Sequence, residues 1–367
     1  MEHLFQFADE LGPARVIAVY KPKLNLRGLL VVDNVAAGPA IGGCRMAPDV
    51  TYAECFRLAR AMTLKNAAAG LCHGGGKSVI VGDPRMPVDR KETIIRAFAR
   101  ALGDIHDYMM GPDMGTDEQA MAWVHDETGR SVGLPRAVGG IPLDEIGATG
   151  FGVAIAAEAA QEFGMIKLAG ARVAIQGFGA VGKFAARFLA RRGAILVAAS
   201  DSSGTIANPR GLDVEALIAL KDSGANVSSF GNGEKLARDA IVGVECDIWI
   251  PAARPDVITM DNVDSLRTKL ILQGANIPAT AEAELRLHNR GILSLPDFIV
   301  NAGGVICAAV EYQHGTQSAA FAAIEEKIRA NTSAVLENAR RRNVTPREAA
   351  IDLARERVRE AMSYQRF

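Results

Sequence analysis

The pattern of apolar and polar positions changes period along the chain. RGLLVVDNV (27–35) is a long apolar run of strand character. TYAECFRLARAMTLKNAAAG, from residue 51, has helical periodicity. Thr51 is placed as N-cap and Glu54 three places on, the spacing of a capping box. KSVIVGD predicts a short apolar strand and VDRKETIIRAFARALGDI an amphipathic helix. In the middle third, KLAGARVAIQGFGAVGKFAARFLARRGAILVAASDSSG predicts strand, glycine turn, helix and strand. Further strand-like segments follow at CDIWIPAA, KLILQGA and GILSLPDFIV, with helical stretches between them. Such alternation predicts a parallel, doubly wound sheet. The last third is helical. One long helix is expected from about Gln317 to Arg342, and Thr345-Pro346-Arg347-Glu348 announces another, with Thr345 as N-cap, Pro346 opening the first turn and Glu348 as reciprocal partner. No internal repeat or low-complexity linker interrupts the pattern.

A chain of 367 residues fits two domains, and 49% apolar with 23% charged residues describes a packed globular protein rather than a disordered one. The net charge of −1 gives no footprint for nucleic acid or an anionic membrane. Arg340, Arg341 and Arg342 are the one basic run, expected on a solvated face beside Glu337 and Glu348. No apolar run approaches the ~20 residues of a membrane span. The start, MEHLFQFADELGPAR, lacks the basic-then-apolar order of a secretion signal, so a cytoplasmic protein is expected. Cys44, Cys55, Cys72, Cys246 and Cys307 are odd in number and include no CxxC, which predicts reduced thiols. The six histidines have no metal-ligand spacing, and no structural metal is expected.

Gly177-Phe-Gly179-Ala180-Val181-Gly182 has GxGxxG form. It follows the predicted strand ARVAIQ, opens a helix, and precedes a second strand ending at Asp201. In that context the glycines have distinct roles. Gly177 permits the tight turn, Gly179 lets the backbone approach a pyrophosphate, and Gly182 lets helix pack closely on strand. The helix N-terminus adds free N–H groups and positive potential. Asp201 is placed to accept from both ribose hydroxyls and to repel a 2′-phosphate, which favours NAD. Ser202 and Ser203 leave NADP open, and no Lys or Arg follows Asp201 until Arg210.

MTLKNAAAGLCHGGGKS (62–78) sets Lys65 and Lys77 around a nearly uncharged stretch. Two cations in one cleft suit a carboxylate substrate. One binds the anion, and crowding with partial burial turns the other toward a base. Two unrelated exposed lysines remain the plain alternative. GPAIGGCRM (38–46) is expected to be a second glycine turn offering N–H groups, and MGPDMGTDE (110–118) to hold Asp113 in a rigid turn.

Taken in order, GPAIGGCRM, MTLKNAAAGLCHGGGKSVIVGDP, GPDMGTDE, HDETG, GFGAVG, GAN and PDFIVNAGGV resemble the Glu/Leu/Phe/Val amino-acid dehydrogenases over residues 12 to 360. The resemblance implies an α/β protein of two domains around a cleft. Residues 1–140 would form a substrate and oligomerisation domain, residues 141–330 a Rossmann NAD-binding domain, and 331–367 C-terminal helices returning to the first. It implies oxidative deamination of an L-amino acid to a 2-oxo acid and ammonia. Lys65 would bind the α-carboxylate with Gly42 and Gly43, Lys77 would be a lowered-pKa base that activates water, and Asp113 would move protons. Thr149, Asn276 and Asn301 would lie near the nicotinamide. Glutamate dehydrogenases typically carry lysine at the place of Ile41 and serine at the place of Ala308. With Gly111 also small, the side-chain pocket is expected to take apolar substrates: leucine-like first, phenylalanine second, glutamate third. A homo-oligomer is expected. Two rivals stand apart: a dinucleotide-binding module without turnover, and a 2-hydroxy-acid dehydrogenase, for which His73 is the nearest acid/base candidate.

Overall fold

The structure is a computed structural model that describes residues 6–164 and 166–366. The first five residues of the N-terminal segment lie outside them. The chain divides into two units. Unit 1 holds residues 1–142, 305–320 and 351–367; unit 2 holds residues 143–304 and 321–350. The division differs from the expected 1–140, 141–330 and 331–367 in that the long C-terminal helix contributes mainly to unit 2, while residues 305–320 return early to unit 1.

Unit 1 begins with β1 (Arg15–Lys21), β2 (Leu26–Asn34), β3 (Ala40–Ala47), α1 (Tyr52–Ala68), β4 (Gly74–Val81), α2 (Val88–Ala101), β5 (Tyr108–Pro112) and α3 (Glu118–Thr128). Its sheet has the order β1-β2-β4-β3-β5, antiparallel from β1 to β4 and parallel from β4 to β5. Both faces are covered, which explains the unbroken apolar run in β2. Alternate residues go to opposite sides: Val31 and Val79 meet Cys55, Phe56 and Ala59 of α1, whereas Leu30, Val32 and Ile80 pack with Phe98 and Trp123 of α2 and α3. Thr51 caps α1 by accepting from Glu54 N at 3.1 Å. The Glu54 carboxylate, expected to complete a capping box, accepts from Arg45 Nη1 at 2.5 Å.

Unit 2 contains α4 (Ala148–Glu162), β6 (Arg172–Gln176), α5 (Ala180–Ala190), β7 (Ile195–Asp201), β8 (Gly204–Ala207), α6 (Val214–Asp222), β9 (Glu234–Leu236), β10 (Ile248–Pro251), β11 (Leu270–Leu272), α7 (Ala281–Asn289), β12 (Leu293–Leu295) and α8 (Asp297–Val300). The sheet order is β12-β11-β10-β6-β7-β8-β9. The strands from β12 to β7 are parallel, and β8 and β9 extend the sheet as antiparallel strands. It is therefore a Rossmann-type doubly wound sheet with an antiparallel extension. Strand order reverses beside β6, which makes its C-terminal end the switch point where such sheets bind ligands. GILSLPDFIV, expected as one strand-like segment, divides into β12 and α8 because Pro296 removes a ladder donor and opens a helical turn. Last come α9 (Gly303–Tyr312), α10 (Gln317–Arg342) and α11 (Pro346–Ser363). Thr345 caps α11 by accepting from Glu348 N at 3.2 Å.

Candidate active site

In unit 1 the reactive groups collect where β3, β4 and β5 run side by side. Lys77, in β4, is 6% exposed, and its ammonium donates to Asp113 Oδ2 just beyond β5. Arg45 Nη2 reaches Asp113 Oδ1 at 3.4 Å, and Met114 N donates to the same oxygen at 2.6 Å. Burial raises the Asp113 carboxyl, but Lys77, the Met114 N–H and Arg45 outweigh it and hold the group below its ordinary value. At neutral pH Asp113 is therefore a carboxylate. Thr116 keeps the segment in place, donating to Cys44 O at 2.7 Å while accepting from Asp113 N at 3.0 Å.

Glycine is required at two of the predicted positions, for a reason the sequence did not reveal. A Cβ on Gly43 would stand 2.8 Å from Asp113 Cβ and 3.2 Å from Lys77 Nζ, so any side chain would crowd the pair. A Cβ on Gly42 would overlap Gly76 O at 1.7 Å. Neither residue is in a turn. Both lie in β3, opposite Met110 and Gly111 of β5, because the strand runs buried between two neighbours. The glycines before Lys77 likewise belong to β4. There Gly75 admits the backbone of α1, since a Cβ would meet Thr63 N at 1.9 Å.

Lys65 is half-buried in the last turn of α1. Lys77 shares the parity of Val79, whose face of the sheet α1 covers, so both lysines belong to one side of the sheet. Ile41 and Ala308 are buried apolar residues at 3% and 7% exposure. Gly111 packs closely against Val132, whose Cγ2 would stand 3.2 Å from an added Cβ. Glu311, one turn beyond Ala308 on α9, accepts from Gly133 N, Leu134 N and Ile141 N at 2.7, 3.1 and 2.7 Å and so fixes the loop after Val132. His73 is set apart from acid/base work. Its Nδ1 donates to Pro39 O at 3.1 Å, and burial holds the ring below its ordinary pKa. The nearby thiols are inert, with burial pushing Cys44 up to about 11 and Cys55 to about 12.

Arg45 and Thr116, which the structure joins to Asp113, are residues of this candidate site that sequence reasoning passed over. Both stand inside the motifs GPAIGGCRM and MGPDMGTDE, so the signal was present.

In unit 2 the GxGxxG residues occupy the end of β6 and the start of α5. Gly177 has φ +96° and packs on the backbone of Ala252 and Ala253. A Cβ on Gly182 would overlap Gly177 O at 2.1 Å, so helix and turn close only over glycine. Gly179 is the N-cap of α5 without a side-chain cap, and a Cβ there would have nothing within 4 Å. An open glycine face at an uncapped helix N-terminus beside exposed Ala180 and half-buried Val181 fits a pyrophosphate. Asn301 Nδ2 donates to Asn276 Oδ1 at 2.9 Å, and Thr149 Oγ1 lies 3.3 Å from the place of a Cβ on Gly304.

Asp201 is more engaged than expected. Its Oδ2 accepts from Lys221 Nζ at 2.7 Å and Val227 N at 2.9 Å; its Oδ1 accepts from Ser203 N and Oγ at 2.9 and 2.6 Å. Burial raises its pKa, and these partners more than offset it, lowering the value to about 2. The cation in reach is Lys221 on α6, beyond the Arg210 that sequence order suggested.

A GxGxxG turn at the switch point of a doubly wound sheet, with buried Lys77 paired to a half-buried carboxylate on a separate sheet, is an arrangement suited to a dinucleotide-dependent dehydrogenase. The chain belongs to the Glutamate/Leucine/Phenylalanine/Valine dehydrogenase family: that family's description matches residues 139–366, and its Glu/Leu/Phe/Val dehydrogenase dimerisation domain matches residues 13–130. It is 36% identical over 385 aligned residues to an NADP(+)-dependent glutamate dehydrogenase of Pyrobaculum calidifontis, covering 95% of this chain and 90% of that protein. It is 35% identical over 357 to an NAD-specific glutamate dehydrogenase of Staphylococcus aureus, covering 92% and 86%. The fold is similar to that of L-tryptophan dehydrogenase from Nostoc punctiforme, with a TM-score of 0.77 and 25% identity over 98% of this chain and 99% of that one. The protein is an amino-acid dehydrogenase of that family, and the two glutamate dehydrogenases it resembles here differ in their dinucleotide, one NADP(+)-dependent and one NAD-specific.

Proposed function

We propose that the protein oxidatively deaminates an apolar L-amino acid, leucine-like before phenylalanine and both before glutamate, to the 2-oxo acid and ammonia. The observation that carries the reading is the Lys77–Asp113 pair against Gly43. A nicotinamide dinucleotide held at the Gly177–Gly182 turn would supply the hydride acceptor that converts the amino acid to its imino acid. Lys65 holds the substrate carboxylate, aided by the backbone at Gly42 and Gly43. Asp113 takes and returns protons at the substrate nitrogen. Lys77, once its ammonium has passed a proton to Asp113, withdraws a proton from the water that attacks the imine carbon; Asp113 delivers that proton to the substrate nitrogen, and loss of ammonia completes the 2-oxo acid.

The apolar preference is supported by Ile41 and Ala308, which offer a distal carboxylate no partner in a buried place. The dinucleotide is held by Gly177, Gly179, Ala180, Val181 and Gly182, with Thr149, Asn276 and Asn301 toward its nicotinamide end. NAD is preferred because Asp201 stays anionic, and NADP is accepted because the Lys221 ammonium offsets repulsion of a 2′-phosphate. The dimerisation-domain description of residues 13–130 supports a homo-oligomer.

The test is reduction of NAD and NADP across a panel of L-amino acids at alkaline pH. Glutamate is expected to be at least roughly 100-fold poorer in kcat/KM than the best apolar substrate, an unpaired buried carboxylate costing several kcal/mol at about 1.4 kcal/mol per tenfold. Efficient glutamate turnover would overturn the pocket assignment while leaving the reaction class in place.

A further inference from the structure

Tyr108 opens β5, yet its side chain reaches past β3 to β4. The residue is 4% exposed, and its hydroxyl donates to Gly42 O at 2.8 Å while lying 3.1 Å from Ser78 Oγ of β4. The phenol proton is committed to the Gly42 carbonyl, so Ser78 is the donor to the phenol oxygen. Burial holds the phenol far above its ordinary pKa, which keeps it a donor. The ring passes over Gly76, where a Cβ would meet it at 3.0 Å. Ser78 shares the parity of Ile80, on the face of the sheet that α2 and α3 cover, and Tyr108 packs in the same cluster. The Gly42 carbonyl is therefore drawn toward that face. A trans peptide is planar, with its C=O and N–H opposed. The N–H of this peptide belongs to Gly43, and it is turned toward the other face, which α1 covers and to which Lys65 and Lys77 belong.

The ladder between β3 and β4 bears the same mark. It pairs Ala40 with Gly74 and Ile41 with Gly75, then resumes at Cys44 with Ser78. Gly74 N bonds Pro39 O at 3.2 Å, which sets the phase of the ladder. In that phase the skipped pairs, Gly42 with Gly76 and Gly43 with Lys77, have one bond in common, from Gly43 N–H to Gly76 O. That bond is the one the ladder omits. Gly42 N–H, by contrast, is spent toward β5, where the pairing runs unbroken from Ala40 to Cys44. Gly43 is buried, and a buried N–H outside its ladder asks for another acceptor.

We infer that Tyr108, supported by Ser78, is a positioning residue for substrate binding. Its hydrogen bond to Gly42 O aims the Gly43 N–H at the substrate α-carboxylate and makes Gly43, of the two glycines, the backbone donor. The inference rests on the proposed reading in which Lys65 and this stretch of backbone hold that carboxylate.

The test is steady-state kinetics of Tyr108→Phe, which keeps the ring and removes the hydroxyl, with each amino acid turned over among leucine, phenylalanine and glutamate. The α-carboxylate is common to them. Amino-acid KM is expected to rise about tenfold, by the same factor for each substrate, with kcat within about threefold and dinucleotide KM unchanged. A tyrosine that only supported the fold would lower Tm without separating KM from kcat in this way. If Tyr108→Phe does not fold, Ser78→Ala decides alone. It leaves the phenol but removes its supporting donor, and amino-acid KM is expected to rise about threefold. An unchanged KM in the folded variant, or a fall in kcat at constant KM, would overturn the inference. So would a factor that differs among the substrates by more than about threefold. Each factor compares variant with wild type on one substrate, so it reads the same whichever amino acid proves best. Failure of the carboxylate reading shows separately, as an unchanged KM in Lys65→Ala.

Discussion

At the scale of single residues, the geometry around Lys77 makes its removal different from removal of a surface cation. Lys77→Ala takes away the group assigned to water activation and leaves the half-buried Asp113 with Arg45 and the Met114 N–H. A kcat loss of roughly 10²–10⁴-fold is expected, as for a general base, with dinucleotide affinity unchanged by fluorescence titration because the GxGxxG turn belongs to the other unit. A variant retaining most of its kcat would remove Lys77 from the mechanism. Lys221 makes a second residue-level case. It lies 2.7 Å from Asp201, so Lys221→Ala strips the cation while leaving the anion that a 2′-phosphate must face. NADP is expected to lose at least roughly tenfold in kcat/KM relative to NAD, one charge-assisted contact being worth about 1.5–3 kcal/mol. An unchanged NADP/NAD ratio would assign the choice to Ser203 and Ser228, whose hydroxyls lie 3.1 Å apart beside the same carboxylate.

At the scale of elements, α11 is fastened by its first turn. Arg347 donates to Glu284 Oε2 on α7 at 2.5 Å, to Asp297 Oδ1 on α8 at 2.9 Å, and to Gln273 Oε1 at 2.8 Å. Both carboxylates are buried, at 7% and 5% exposure. Arg347→Ala would strand two buried anions, so urea unfolding is expected to show a loss of about 3–5 kcal/mol. Arg347→Met is expected to be no better, since it fills space without neutralising either acid. Only replacing the acids as well would recover stability, and a loss below about 1 kcal/mol would place this network with ordinary surface pairs.

Across the whole molecule, several acids sit below their ordinary pKa. Asp201 is at about 2, and Asp113 and Asp9 are lowered too, Asp9 by its bonds to Arg60. A carboxyl depressed in the folded state binds its proton more readily when unfolded. Its contribution is therefore complete above the unfolded value, near 3.8, and is lost as pH falls through the folded one. Thermal unfolding is expected to be insensitive to these groups from pH 7 to about 5, with Tm falling steeply between about pH 4 and 2. A stability flat down to pH 2 would mean that the unfolded chain keeps the same ion pairs.

The order of elements, the turn chemistry and most of the chemistry-bearing residues were legible in the sequence, because each is a local property. Helical periodicity marked α1, α2 and α10. Thr51 and Thr345 marked helix starts, and the spacing of Gly177, Gly179 and Gly182 marked a strand–turn–helix in which Gly177 takes the turn and Gly182 lets helix and turn close. Tertiary structure alone decided what depends on which strand lies beside which. Gly42 and Gly43 looked like a turn because glycine usually breaks strands, yet the demand on them comes from Gly76, Asp113 and Lys77, which reach them only through the β4-β3-β5 order. Glu54 looked like half of a capping box, but Arg45, opposite it in space, is the stronger partner. Asp201 looked open to a ribose, while Lys221, twenty residues on, arrives beside it only when α6 folds back along the sheet. Periodicity and spacing record what a residue asks of its own backbone; a charge or a missing Cβ answers to neighbours in space, and those are set by the sheet order.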